Sequence, residues 1–135
     1  MPDRDRKFRN TVLQGKWREM DYSYIGQVNS KGQWHGYGIL VNKFGFIHEN
    51  YWRKGKREGK GREIGVVEGW VVESEWKNDE ENGMSVEKYD NGYEWRGEYK
   101  DGKWHGWWIE RQSGVVCARQ YKEGKEVTET ELEEK

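Results

Sequence analysis

The sequence predicts an all-β protein: an elongated, single-layer antiparallel sheet of consecutive β-hairpins. Two series of residues and the composition predict it. A large residue recurs at Val28, Trp52, Trp76, Tyr99 and Tyr121, at intervals of 24, 24, 23 and 22. A glycine recurs at Gly36, Gly59, Gly83 and Gly106, at intervals of 23, 24 and 23. The composition is 33% hydrophobic against 36% charged, too poor for an ordinary two-layer core. Nine Trp and eight Tyr nevertheless argue against disorder, so burial is concentrated in rings. A fixed period of this length marks a repeat architecture, in which each unit stacks on the next.

Along the chain, residues 1–12 read as a charged arm. "MPDRDRKFRN" has no apolar stretch of a secretory signal, its aspartates make a poor mitochondrial presequence, and Met-Pro excludes an N-myristoyl glycine. Residues 13–126 read as the repeat array. A half unit near 13–21 precedes units near 24–45, 48–69, 72–92, 95–114 and 117–126. Within a unit the first segment alternates with period two, as in Trp95, Gly97 and Tyr99 against Arg96, Glu98 and Lys100, which is a strand. A short polar turn follows ("RKGK", "KDGK", "KEGK"), and a second segment closes on Gly45, Gly69, Gly92 or Gly114. A third series lies two residues before the large one: Gly26, Asn50, Ser74, Gly97, Arg119. Strand glycines leave holes that neighbouring rings can cover. Rings are expected to cover Gly36, Gly59, Gly83 and Gly106. Residues 127–135 read as an acidic tail, in which Thr128 and Glu131 suggest the capping box of a short terminal helix.

Tyr24, Gly26, Gly32, His35, Gly36 and Gly38 fit the pattern YxGxxxxGxxHGxG, as do Gly97, Tyr99, Gly102, His105 and Gly106, with Trp108 in place of the last glycine. This pattern resembles the MORN repeat (membrane occupation and recognition nexus). The second unit departs at His48, Asn50 and Glu58, and the third at Ser74, Asp79, Asn82 and Ser85. The resemblance covers about residues 24–125 and implies a twisted, single-layer sheet with one grooved aromatic face. The departures in the third unit bear on its turn geometry. Tyr24, Gly26, His35, Gly36, Trp52, Gly59, Trp76, Gly83, Trp95, Gly97, Tyr99, His105 and Gly106 are read as repeat-structural.

No enzyme is expected. His35 and His105 hold one slot three units apart, ~29 Å along a sheet with ~4.8 Å between strands, too far for one metal or catalytic centre. His48 reads as a packing substitute and Cys117 as a buried, inert thiol. "GKREGKGREIG" is glycine-rich but lacks the phosphate-loop pattern. No metal and no cofactor are expected.

Function is therefore sought on surfaces. Trp34, Tyr37, Trp104 and Trp107 exceed what packing slots require and are read as one ring-lined, protein-binding face. Arg53, Lys54, Lys56, Arg57, Lys60 and Arg62 form a basic edge beside an acidic run at 68–81. That edge would orient a protein partner, or else meet anionic lipid or a phosphoinositide. The net charge of −1 and the packing period of the rings argue against nucleic acid. The expectation is a non-catalytic scaffold or assembly subunit binding other proteins in a multi-subunit complex. It would be cytoplasmic, in a cytoskeletal or ciliary setting, with homodimerisation through sheet ends open to it. Trp34→Ala or Trp104→Ala is expected to weaken partner capture with little loss of folding.

Overall fold

The computed structural model describes residues 9–17 and 20–127. The expected terminal helix and the capping box of the tail lie outside these residues. Over these residues the chain is all-β, with eleven strands in one open antiparallel sheet in sequence order. They are β1 (Arg9–Trp17), β2 (Met20–Val28), β3 (Trp34–Val41), β4 (Phe46–Arg53), β5 (Lys56–Gly65), β6 (Trp70–Lys77), β7 (Glu80–Tyr89), β8 (Glu94–Lys100), β9 (Lys103–Gln112), β10 (Val115–Lys122) and β11 (Lys125–Glu126). β1 pairs along its whole length with β2, so residues 9–12, read as part of the arm, belong to the sheet. Ten inter-strand steps of about 4.8 Å give a slab about 48 Å long. Among the described residues no helix is long and apolar enough to cross a membrane.

The repeat glycines act by conformation and not by size. Gly36, Gly59, Gly83 and Gly106 all have positive φ, between 73° and 119°. Gly36, Gly59 and Gly83 are each the middle of three residues that oppose a single residue on the preceding strand, and Gly106 is the first of the three, 106–108, that oppose Gly97. The register jumps from Gly26↔Gly38 to Val28↔Trp34, from Asn50↔Gly61 to Trp52↔Arg57, and from Ser74↔Ser85 to Trp76↔Glu81. It jumps again between Arg96↔Ile109 and Glu98↔His105. A bulge in the left-handed region excludes most side chains, and its two additional residues keep the same parity of faces on either side of it. This corrects the expectation that rings cover these four glycines. A Cβ on Gly36 or Gly83 would meet Gln27 or Glu75, and on Gly106 it would meet nothing.

Rings cover other glycines. Tyr24 lies across the facing pair Gly26 and Gly38, and a Cβ on Gly38 would fall 2.1 Å from its hydroxyl oxygen. Trp108, in the slot of Gly38, folds over Gly97, where a Cβ would lie 2.3 Å from the ring. In the second unit the Asn50 side chain covers Gly61. In the third, Ser74 and Ser85 close the gap with an Oγ···Oγ hydrogen bond of 2.7 Å.

The tight turns keep one geometry. Lys54–Gly55, Asn78–Asp79, Asp101–Gly102 and Glu123–Gly124 have both residues at positive φ, as a type I′ hairpin requires. The third unit achieves this without glycine, so its departures leave the turn intact. Each turn is also tied to the preceding hairpin. The amides of Gly55, Asp79, Gly102 and Gly124 donate to the carbonyls of Trp34, Arg57, Glu81 and Trp104 at 2.8–3.0 Å.

Gly97→Ala drives a methyl into the Trp108 ring. We expect a loss of about 2–3 kcal/mol, the range of overpacking, read as a fall in the urea midpoint with unchanged slope.

Candidate interaction surfaces

Register assigns each side chain to one of two faces. The cross-strand row Tyr24, Leu40, His48, Glu63, Val72, Glu87, Trp95, Glu110 and Cys117 marks the ring face. The row Ile25, Ile39, Glu49, Arg62, Glu73, Val86, Arg96, Ile109 and Ala118 marks the opposite, open face.

On the ring face the aromatic side chains cover one another. Tyr24 is fully buried and stacks on Trp34 with centroids 4.5 Å apart and planes 1° apart. Trp34 meets Trp52 edge-on at 4.9 Å and Tyr22 at 5.2 Å. At the other end Trp104 stacks on Trp108 at 4.0 Å and meets Tyr121 edge-on at 5.0 Å. The polar atoms of these rings are also used. Tyr24 Oη donates to the Gln27 carbonyl at 2.8 Å, and Trp108 Nε1 to the Glu98 carbonyl at 3.0 Å. Burial pushes the Tyr24 hydroxyl far above its ordinary pKa, and burial with the nearby Glu81 carboxylate pushes Tyr99 to about 12.

Between the two aromatic ends the same slot changes character. Trp34 and Trp104 are replaced in the second and third units by Arg57 and Glu81. The Arg57 guanidinium lies 3.7 Å over the Trp76 ring and is buried. Its Nε is 2.6 Å from Asp79 Oδ1, and its Nη1 is 3.6 Å from Glu63. His48, buried against Phe46, is 3.4 Å from the same Glu63 carboxylate. Glu81 accepts from Ser74 Oγ at 3.2 Å. Desolvation raises its pKa against the opposing pull of that hydrogen bond and of Arg57.

The four rings read as one binding face do not share a face, which corrects that grouping. Trp34 and Trp104 belong to the packed ring face. Tyr37 and Trp107 stand on the open face, where Trp107 is 56% exposed. Spacing is the reason: residues three apart along a strand point to opposite faces, and a bulge of two additional residues keeps that parity. The open face also exposes Ile25, Tyr51, Met84, Ile109 and Val116, which were not singled out. Alternation within each strand was the available signal. Tyr37 and Tyr51 meet at 5.6 Å, and the Tyr37 hydroxyl donates to Glu49 at 3.2 Å. Glu49 in turn pairs with Arg62 at 3.0 Å.

The basic edge is likewise divided. Arg53, Lys54 and Lys56 are exposed at the β4–β5 turn. Arg57 is buried on the ring face, while Lys60 and Arg62 stand on the open face. The turns of this edge bring together instead the exposed Lys31, Arg53, Lys54, Lys56, Lys77, Lys100, Lys103, Lys122 and Lys125. Among the acids in these turns, Glu80, Asp101 and Glu123 are exposed and Asp79 is bound by Arg57.

Of the histidines, His35 Nδ1 accepts from the Lys54 amide at 3.0 Å, linking one hairpin to the turn of the next. His105 is six strands away on β9. No group of three or more His, Cys, Asp or Glu is placed to hold a metal among the described residues. Cys117 is exposed on β10, which corrects its reading as a buried thiol.

No protein-family model matches the chain. Over 41 residues it is 44% identical to a Plasmodium falciparum protein called inactive protein tyrosine kinase pTKL. That match takes in 30% of this chain, and the chain spans 3% of the length of that relative. The matched length is a little under two of the 23–24-residue periods.

Two expectations follow. Trp34→Ala and Trp104→Ala each lose about 3 kcal/mol in urea unfolding, because stacked partners lose their cover, whereas Tyr37→Ala and Trp107→Ala stay within about 0.5 kcal/mol. Glu81 has a raised folded-state pKa, so its ionised form disfavours folding at neutral pH. Glu81→Gln therefore raises the urea midpoint at neutral pH. The gain fades as pH falls through the folded-state pKa toward the ordinary 4.5, where the native carboxyl is already protonated.

Proposed function

We propose that this chain is a MORN-type repeat module that acts as a non-catalytic, protein-binding scaffold or assembly subunit, using the open sheet face. The observation that carries this reading is that one sheet layer leaves Tyr37, Tyr51 and Ile25 at one end, and Trp107, Ile109 and Met84 at the other, exposed to solvent. Exposed apolar clusters of this kind are interaction sites by default, and Tyr and Trp are the common anchors of protein interfaces. The match of the period to hairpins with a fixed bulge supports the repeat assignment. The separation of His35 from His105 supports a binding role over catalysis.

The two exposed clusters lie on β2–β4 and β7–β9. Tyr37 and Trp107 are six strands apart, about 29 Å. A partner helix of about 19 residues, at 1.5 Å rise per residue, spans that distance. Between the clusters the face presents Glu49, Arg62 and Glu73, so the partner carries charges of alternating sign at its centre and apolar residues toward its ends. A large cytoplasmic assembly, cytoskeletal or ciliary, is the setting this role suits.

The lysine-rich turn edge favours a second reading, attachment to an anionic lipid surface. Nine exposed cations line that edge against three exposed acids. Each cation near an anionic bilayer contributes about 1 kcal/mol.

The first reading expects Tyr37→Ala and Trp107→Ala to lower capture of the native partner at least tenfold while the melting temperature stays unchanged. Equal capture by wild type and both variants overturns it. The second expects flotation with phosphatidylserine or phosphoinositide vesicles, lost when Arg53, Lys54 and Lys56 are changed to Gln. Flotation that survives this change, or never occurs, removes the lipid reading.

A further inference from the structure

The turns along one edge of the sheet repeat an arrangement that opposes folding. Two cations flank the turn and face each other across the hairpin at Arg53↔Lys56, Lys100↔Lys103 and Lys122↔Lys125. Like charges directly opposite destabilise an antiparallel pair. The hairpin of β6 and β7 shows the balanced alternative, Lys77↔Glu80, on the same turn geometry. The turn itself therefore does not require two cations, yet three of the four turns of this kind on this edge carry them.

All six side chains are exposed, and none is in an ion pair with a described residue. Residues that flank a two-residue turn form a hydrogen-bonded pair, with Cα atoms about 5.5 Å apart. Strand alternation sends both members of a pair to the open-face side of the edge. Each pair is thus a two-pronged cation. Lys54 adds a third positive charge to the first turn, and Asp101 and Glu123 offset part of the charge at the other two.

The first and third pairs are six inter-strand steps apart, about 29 Å, with the second about 19 Å along. Neighbouring strands rotate by about 20–25°, so the first and third pairs differ in direction by roughly 120–150°. A planar surface meets one such pair at a time, whereas a flexible chain can follow the curve and meet all three. At about 3.3 Å per residue, about nine extended residues cover the distance.

We propose that this edge binds an extended acidic segment of a partner protein, with a carboxylate seated between the two cations of each pair. Binding relieves the repulsion that the opposed cations carry in the free protein, which gives the repeated arrangement its physical reason. Complementary charge fixes the direction and register of the segment along the edge. The inference shares Arg53 and Lys56 with the lipid reading but does not rest on it, and it does not use the Tyr37 and Trp107 clusters.

The test is fluorescence anisotropy of labelled oligoglutamate peptides titrated with the full chain. A ten-residue peptide is expected to bind at least tenfold more tightly than a four-residue one, which reaches at most two pairs, and added salt weakens both. Changing all six cations to Gln is expected to lower the affinity at least tenfold without lowering the urea midpoint, so the loss is not one of folding. Lys100→Gln with Lys103→Gln is expected to weaken binding at least fivefold. Lys43→Gln with Lys88→Gln makes the same change of charge near the turns of the opposite edge and leaves binding unchanged. Trp107→Ala also leaves it unchanged, so failure of the open-face reading is seen separately. The proposal is overturned by equal affinity for the two peptide lengths, by equal losses from the two double variants, or by no binding of either peptide. Binding of phosphatidylserine vesicles without binding of peptide overturns it too, and assigns the edge to lipid.

Discussion

Within each hairpin, one pair of facing backbone positions has to be closed by something flat. A single-layer sheet has no second layer to fill its surface, so the cover comes from the strands themselves. Tyr24 over Gly26 and Gly38, Trp108 over Gly97, Asn50 over Gly61 and the Ser74–Ser85 pair are four answers to that requirement. Where both facing residues are glycine, the ring comes from two residues upstream. Where the second glycine is replaced, the replacing tryptophan becomes the cover. Packing volume is thus kept while residue identity changes, as dense interiors require.

The bulge glycine serves a different purpose. By placing three residues against one, it lets two segments of unequal length end at the same turn. That alignment allows the turn amide to reach the carbonyl of the preceding hairpin, so each unit is fixed on its neighbour by backbone bonds as well as by rings. Stability in such an array is largely a sum of nearest-neighbour terms. The polar middle, with Arg57 between Trp76, Asp79 and Glu63, uses this same scaffold with charges in place of rings. Paired and hydrogen-bonded charges are tolerated there because each has a partner at close range.

Much of the fold was legible in the sequence. The period located the hairpins, and the alternation of Trp95, Gly97 and Tyr99 gave their strand character. The candidate binding residues were less so. Trp34 and Tyr37 are three apart, and so are Trp104 and Trp107. Strand alternation places residues three apart on opposite faces, and a bulge of two additional residues leaves that parity unchanged, so grouping them by their shared slot near His35 and His105 was the error. The basic run at 53–62 misled for the same reason: it crosses a turn, a buried slot and the open face within ten residues.

What the sequence determined by itself is the repeat, and hence an all-β array of stacked ribbons. That follows because a recurring spacing of rings and glycines imposes the same local geometry wherever it appears. What only the tertiary structure decided is which rings are covered and which are exposed. Tyr24 and Trp34 stack because register brings Val28 against Trp34 and Gly26 against Gly38, and Trp107 faces solvent because it alternates with the buried Trp108 and no second layer covers the open face. Sidedness is a property of two strands and their offset, and it cannot be read from either strand alone.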